Sequence, residues 1–363
     1  MFGVRAVIAL IGLAFATAAG PAAAADTALN PRALVTAIDG LIGANYVIVE
    51  MRPVLKAALA KSLAAGRYDG VDPQTLSARL TDDMRAVAHD KHLGVRFDPD
   101  SASHLSDHAG EPDAAALAYF ARQDRAQNYG VTGLRILGGN VRAMTYDGFM
   151  WDGPASAAAI DNAMDFLRGG DAAIIDIRHN GGGSPEASAY LASYFAPPGE
   201  KLVTFYLRND PPTSSWTVKV HGDRLTGIPV YVLTSGFTAS AAEEFASHVA
   251  RLKFATLVGE ATAGAAHRNE IYPLPGGYLI SISIGRPELP GGGNWEGKGV
   301  APQIVTAADQ ALDAAHAEAL GELAGKAAGA ERSMYQRLQA GAAARVAAAA
   351  TPSVAPPSPT PKG

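Results

Sequence analysis

The sequence predicts a mixed α/β protein, helical at its start, alternating strands and helices through its middle, and helical again near its end. Three observations carry that expectation. Between residues 26 and 90 apolar residues recur at helical spacing. Between residues 131 and 258 short runs rich in branched residues alternate with helical stretches, the pattern of an α/β core. Residues 307–349 are alanine-rich with Tyr335 as the only aromatic ring, which suits helices.

The elements follow in order. Residues 1–25 predict a signal peptide: a positive start ending at Arg5, an uncharged apolar stretch from Ala6 to Ala19, and Ala23-Ala24-Ala25 before Asp26. The apolar stretch is shorter than the ~20 residues that span a bilayer. The mature chain is therefore expected outside the cytoplasm, periplasmic or extracellular, with no stable membrane insertion. Residues 26–97 predict a small helical bundle. Leu34, Ala37, Ile38, Leu41 and Ile42 form one stripe, Pro53 opens a helix running to Leu63, and Asp72-Pro73 precedes a third stripe from Leu76 to Val87. The three helices are expected to pack on one another, with turns at Gly66 and Gly70.

An α/β core is predicted over residues 98–306. Val131–Leu137 and Val141–Tyr146, joined at Gly138-Gly139-Asn140, read as a hairpin. Ala155–Leu167 reads as a helix, Ala172–Ile177 as a buried strand and Pro185–Phe195 as a helix. Leu202–Leu207 and Trp216–Val220 read as paired strands. Val230–Thr234, Ala239–Leu252 and Ala255–Val258 then read as strand, helix and strand. Residues 307–349 predict C-terminal helices, and the Pro/Ser-rich residues 350–363 predict a disordered tail.

Composition excludes several classes. There is no cysteine, so neither a disulfide nor a thiol nucleophile is possible. A formal net charge of −5 gives no basic surface for nucleic acid. His104 and His108 have the spacing of zinc ligands but lack the Glu of His-Glu-x-x-His, so no metal and no cofactor is expected.

The chemistry concentrates in two segments. In Tyr231–Phe245 a buried strand runs into a helix, and Ser240 sits at the junction. A serine there is exposed at the sheet end beside the positive end of a helix, with the Ala241 N–H unused by the helix and free to face an oxyanion. Ser240-Ala-Ala-Glu243 is equally a capping box, so the residues alone leave two readings, nucleophile and cap. In Ile175–Gly183 three glycines follow a buried strand and allow a sharp turn with close backbone approach. Asp176 and Arg178 would brace that turn. A serine nucleophile needs a base, and among nine histidines the residues alone do not choose between His92, His267 and His89.

Four motifs in order resemble one family: Ile175–Gly183, Leu233–Glu244, Gly259-Glu-Ala-Thr-Ala-Gly264 and Asn294-Trp-Glu-Gly-Lys-Gly-Val-Ala-Pro302. Together they are similar to the catalytic domain of the tail-specific or C-terminal-processing peptidases, the tricorn protease core and interphotoreceptor retinoid-binding protein, over residues 30 to 305. The resemblance implies a crotonase/ClpP-like ββα-spiral catalytic domain behind the helical bundle. It also separates branches. The processing peptidases have a Ser–Lys dyad, and the lysine position here is Ala265. Residues 98–130 leave no room for their PDZ domain. The tricorn and retinoid-binding branch fits better, and it implies Ser240 as nucleophile, His92 as general base and Glu296 as its support. It places the oxyanion donors on Gly182 (or Gly181) and Ala241, with His267 as a reserve base or substrate contact. Two departures stand out: Lys91 where the tricorn enzymes have serine, and Gln303 where aspartate is usual. The function expected is an exported serine-type peptidase acting on short peptides or unfolded protein. The alternative is a non-catalytic carrier of apolar ligands.

Overall fold

The computed structural model describes residues 30–106 and 114–349; the expected signal peptide at 1–25, His108 and the expected tail at 350–363 lie outside the described residues. Three helices come first, α1 (Pro31–Asn45), α2 (Arg52–Ala64) and α3 (Pro73–Ala88). Each has proline in its first turn, where a missing N–H costs nothing. Asn30 caps α1 by accepting the Arg32 N–H at 2.9 Å, and Asp72 caps α3 by accepting the Thr75 N–H at 2.9 Å. Strand β1 (Gly94–Phe97) follows, then α4 (Pro99–Ser106) and α5 (Ala114–Ala126), two helices the sequence did not announce.

The core then runs β2 (Val131–Leu137), β3 (Val141–Tyr146), α6 (Pro154–Arg168), β4 (Ala172–Asp176), α7 (Pro185–Ala192), β5 (Lys201–Leu207) and β6 (Thr213–Trp216). It continues through β7 (Val230–Thr234), α8 (Ala241–Leu252), β8 (Thr256–Gly259), β9 (Arg268–Leu274), β10 (Tyr278–Glu288) and β11 (Ile304–Val305). Helices α9 (Ala311–Lys326) and α10 (Gly329–Ala349) close the described chain, so the alanine-rich stretch is two helices broken around Ala327.

Two sheets result. One has the order β2-β3-β4-β7-β8-β11, with β2 antiparallel to β3 as the hairpin reading requires and the other neighbours parallel. Its central strands are buried at every position, and apolar up to the closing Asp176 of β4 and Thr234 of β7, because both faces are covered. Ala173, Ile175, Val230, Val232 and Leu257 face the core shared with α6, α7 and α8. The alternate residues Ala172, Ile174, Tyr231, Leu233 and Val258 face α9 and α10. Ala311, Ala315 and Ala319 form the small-residue contact that brings α9 onto that second face.

The other sheet is antiparallel, in the order β1-β10-β5-β6 with β9 also on β10. The helices α1 to α3 pack on one another and also on this sheet: Leu34, Ile38, Leu55, Leu59 and Leu80 share one core with Tyr278, Ile280 and Ile282 of β10. Three short helices bury too little surface among themselves, and a sheet face supplies the rest. The second strand of the β5–β6 pair is Thr213–Trp216 instead of Trp216–Val220. Past Trp216 the chain leaves the ladder, because the Val218 N–H goes to Ser193 Oγ at 2.9 Å and the Thr217 hydroxyl to the Pro197 carbonyl at 2.6 Å.

Ile280, fully buried between helices and sheet, tests this shared core. Ile280→Ala is expected to cost about 2–5 kcal/mol, read as a lowered urea midpoint with an unchanged slope. A loss under about 0.5 kcal/mol would show that the helices pack independently of β10.

Candidate active site

Neighbouring parallel strands β4 and β7 end side by side, and both candidate segments leave from their C-terminal ends, where open α/β sheets place their sites. After β7 the chain turns sharply into α8. Ser240 occupies that turn with φ 55° and ψ −124°, a conformation that β-carbon sterics oppose and that costs on the order of 1–3 kcal/mol. A strained strand-to-helix turn carrying a serine is the geometry that lifts a hydroxyl out of the end of a sheet. Buried Glu243 fixes the turn. Its carboxylate accepts the Ser240 N–H at 3.1 Å, the Gly264 and Ala265 N–H groups at 2.6 and 2.7 Å, and the Thr262 hydroxyl at 2.6 Å. The capping reading holds at this turn: Glu243 reaches back to the Ser240 N–H and the Ser240 side chain faces the Glu243 backbone, so the serine closes the helix end in the resting structure.

The glycine loop after β4 lies against this turn. Gly182 has φ +111°, and a β-carbon on it would sit 2.6 Å from Ser240 Cβ, so only glycine fits. Its N–H donates to Asn180 Oδ1 at 2.9 Å, which leaves Gly182 a poor oxyanion donor. The N–H groups of Gly181 and Ala241 make no hydrogen bond among the described residues. As expected, Arg178 braces the loop, with Nη2 2.7 Å from Asp176 Oδ2 and Nη1 bonded to the Ala308 carbonyl.

Two histidines line cavities that Ser240 also lines. His92, in the loop between α3 and β1, lines with Ser240, Gly181 and Lys91 a groove of about 940 Å³. Its Nδ1 is buried without a hydrogen bond. Burial above all pushes His92 down to about 4; Asp90 opposes the shift, and the positive charge of His267 and Arg85 adds to it. His267, at the entry to β9, lines with Ser240, Ala241 and Trp295 a smaller cavity of about 30 Å³. Its Nδ1 lies 3.2 Å from Asp90 Oδ2 and 3.7 Å from Glu296 Oε2. Burial works against the His267 charge, but the Asp90 hydrogen bond and the charges of Asp90 and Glu296 outweigh it and raise its pKa.

Asp90 is the residue that sequence reasoning missed. It is 1% exposed and also accepts the Tyr46 hydroxyl at 3.1 Å and the His92 backbone N–H at 2.9 Å. Burial would raise its carboxyl, yet the bond to His267 and its charge hold it down at about 2. Glu296 is turned toward His267 and makes no hydrogen bond to His92: its Oε2 accepts the Ala266 and His267 N–H groups at 2.6 and 3.1 Å. Asp90, His267 and Glu296, with donor atoms within 4.8 Å of one another, are the group among the described residues that could hold a metal ion. Lys91 reaches the Ala263 carbonyl at 2.5 Å instead of the histidine. His89 ends α3 in the left-handed conformation, and His248 and His316 are buried on helices against Glu244 and the Gly138 carbonyl.

The site thus joins a strained serine at the end of a parallel sheet, a buried glutamate behind it and two histidines on the linings of its cavities. Residues 141–306 match the model of peptidase family S41, and residues 27–128 match the N-terminal domain of peptidase S41 in eukaryotic IRBP. The chain belongs to peptidase family S41. It is 31% identical over 123 residues to a carboxyl-terminal-processing protease of Synechocystis sp., covering 34% of this chain and 28% of that protein. It is 30% identical over 131 residues to the chloroplastic carboxyl-terminal-processing peptidase 1 of Arabidopsis thaliana, covering 36% and 26%. The match thus spans little more than a quarter of these relatives' length. Among solved structures, a lipoprotein from Streptococcus agalactiae aligns with a TM-score of 0.55 at 14% identity over 82% of this chain and 98% of that one. Mature CPAF aligns with a TM-score of 0.54 at 14% identity over 77% and 94%. At such identities the likeness is one of fold, and it bears out the mixed α/β architecture.

The strain at Ser240 has a measurable sign. Ser240→Ala and Ser240→Gly both remove the hydroxyl, but only glycine relaxes the turn. Ser240→Gly is expected to be the more stable of the two by about 1 kcal/mol, after the larger chain entropy of unfolded glycine is deducted from the relieved strain. Equal melting curves for the two variants would remove strain from the description of the site.

Proposed function

We propose that this chain is an exported serine-type peptidase whose core is a crotonase/ClpP-like ββα spiral and whose nucleophile is Ser240. The observation that carries the reading is the Ser240 turn: a strained serine at the junction of β7 and α8, packed against Gly182 and sharing a groove with His92. Ser240 Oγ attacks the peptide carbonyl and His92 takes its proton. The Ala241 and Gly181 N–H groups face the developing oxyanion. Glu296 serves the site through His267. The open groove suits short peptides or unfolded segments. Export is supported by residues 1–25 alone, and no described helix is long and apolar enough to cross a membrane.

One observation favours carriage of an apolar ligand instead: the groove is large, and Val95, Phe97, Ile271 and Leu279 contribute to its lining. Labelling with a fluorophosphonate separates the two readings. A peptidase is labelled at Ser240 and loses the label in Ser240→Ala, whereas a well-folded wild-type protein that takes no label is a carrier.

The pH profile follows from His92. It accepts a proton only when neutral, so kcat/KM falls as pH drops through its pKa. Burial holds that pKa at about 4, so activity is expected to persist well below pH 6 and to fail near pH 4. An acid limb centred on the ordinary histidine value of about 6.5 would argue against His92 as the base.

A further inference from the structure

Ser240 shares a small cavity with a second imidazole, His267, that the single-base scheme does not use. His92 and His267 line different cavities, and Ser240 belongs to both. Their surroundings are opposite. The His92 Nδ1 is buried with no hydrogen-bond partner among the described residues, so no acceptor there holds a second proton on that ring. The His267 Nδ1 is gripped between Asp90 and Glu296, at 3.2 and 3.7 Å, so that ring holds a proton on Nδ1 and a positive charge is compensated there. The His267 Nε2 makes no hydrogen bond among the described residues. One carboxylate connects the pair: Asp90 binds the His267 ring through Oδ2 and the His92 backbone N–H through Oδ1.

We propose that the two histidines divide the proton transfers, His92 taking the proton of Ser240 and His267 giving a proton to the departing amine. The proposal rests on the peptidase reading and adds a catalytic residue to it. Two neighbouring groups in opposite environments are the usual mark of a split acid and base, and here the His267 Nδ1 faces oxygens of Asp90 and Glu296 while the His92 Nδ1 has no hydrogen-bond partner among the described residues. The charged and titratable groups around His267 are Asp90, Glu296 and Arg286, and those around His92 are Asp90, His267 and Arg85.

The protons balance over a full turnover. In acylation the Ser240 Oγ–H proton moves to His92, and the Oγ–C bond forms. The C–N bond then breaks as the Nε2 proton of His267 moves to the amine nitrogen. His92 is now charged and His267 neutral. In deacylation water attacks the ester, giving its proton to His267, and the Oγ–C bond breaks as His92 returns its proton to Ser240. Both rings end as they began, and no other reactant is consumed.

Leaving groups separate the two duties. A p-nitrophenolate departs without a proton, whereas a peptide amine does not. Single-turnover acylation is therefore measured with a p-nitrophenyl ester and with a peptide amide, for wild type, His92→Gln and His267→Gln, each first shown to melt cooperatively. His267→Gln is expected to lose about 10²- to 10⁴-fold in amide acylation while its ester burst stays within about threefold. It should then accumulate acyl-enzyme, visible by mass, because deacylation lacks its base. His92→Gln should lose both reactions. Asp90→Asn, which releases the His267 Nδ1, should show the amide-selective loss as a second variant. Equal loss of ester burst and amide acylation in His267→Gln, or no loss of either, overturns the division of labour. A wild type with neither burst nor fluorophosphonate label overturns the peptidase reading itself, and this inference with it.

Discussion

A carboxylate removed from water must find partners or give up its charge, and Asp90 finds three. It is almost fully buried, and it accepts the hydroxyl of Tyr46 after α1, the N–H of His92 before β1 and the ring of His267 before β9. Those three segments belong to the helical arm, to the loop carrying one histidine and to the strand edge carrying the other. The charged His267 makes burial of Asp90 tolerable, and Asp90 in turn makes a charged His267 possible. Neither side chain can be understood without the other.

Glu243 plays the corresponding part on the sheet side. It takes the N–H of Ser240 and, across the cleft, the Thr262 hydroxyl and the N–H groups of Gly264 and Ala265. The loop from Thr262 to His267 is therefore held at one end by Glu243 and at the other by Asp90 and Glu296. Ala265 lies in this doubly held loop, on the lining of the groove. Its methyl group is buried and its backbone N–H is committed to Glu243, so the site is organised by carboxylates and imidazoles instead of an amine.

Much of the fold was legible because burial on two faces writes itself into a strand. Ala172–Ile175 and Val230–Leu233 are apolar without interruption, and each runs on into a glycine-containing turn. The sharp turn at Ser240 was legible for the same reason. Two things were not. The hairpin of β9 and β10 alternates as Leu279-Ile-Ser-Ile-Ser-Ile284, a period-2 signal that the flanking Pro273 and Pro287 obscure. Reading it would have shown where the helical stripes dock. Asp90 carries no local signal at all, because its partners Tyr46 and His267 are 44 and 177 residues away in sequence. The capping box was half legible, since the motif fixes Glu243 but does not say whether the serine hydroxyl is left for chemistry.

The distance along the chain between Asp90 and His267 bears on when catalytic competence is reached. Contacts of that separation form only after the intervening segments have collapsed, because closing so long a loop costs entropy before any contact rewards it. Ser240 comes from the parallel sheet, His92 from the helical arm and His267 from the antiparallel sheet, so no part of the chain carries a working site by itself. On the proposed mechanism a half-folded copy lacks the assembled site, so peptide cleavage would wait on completion of the native state.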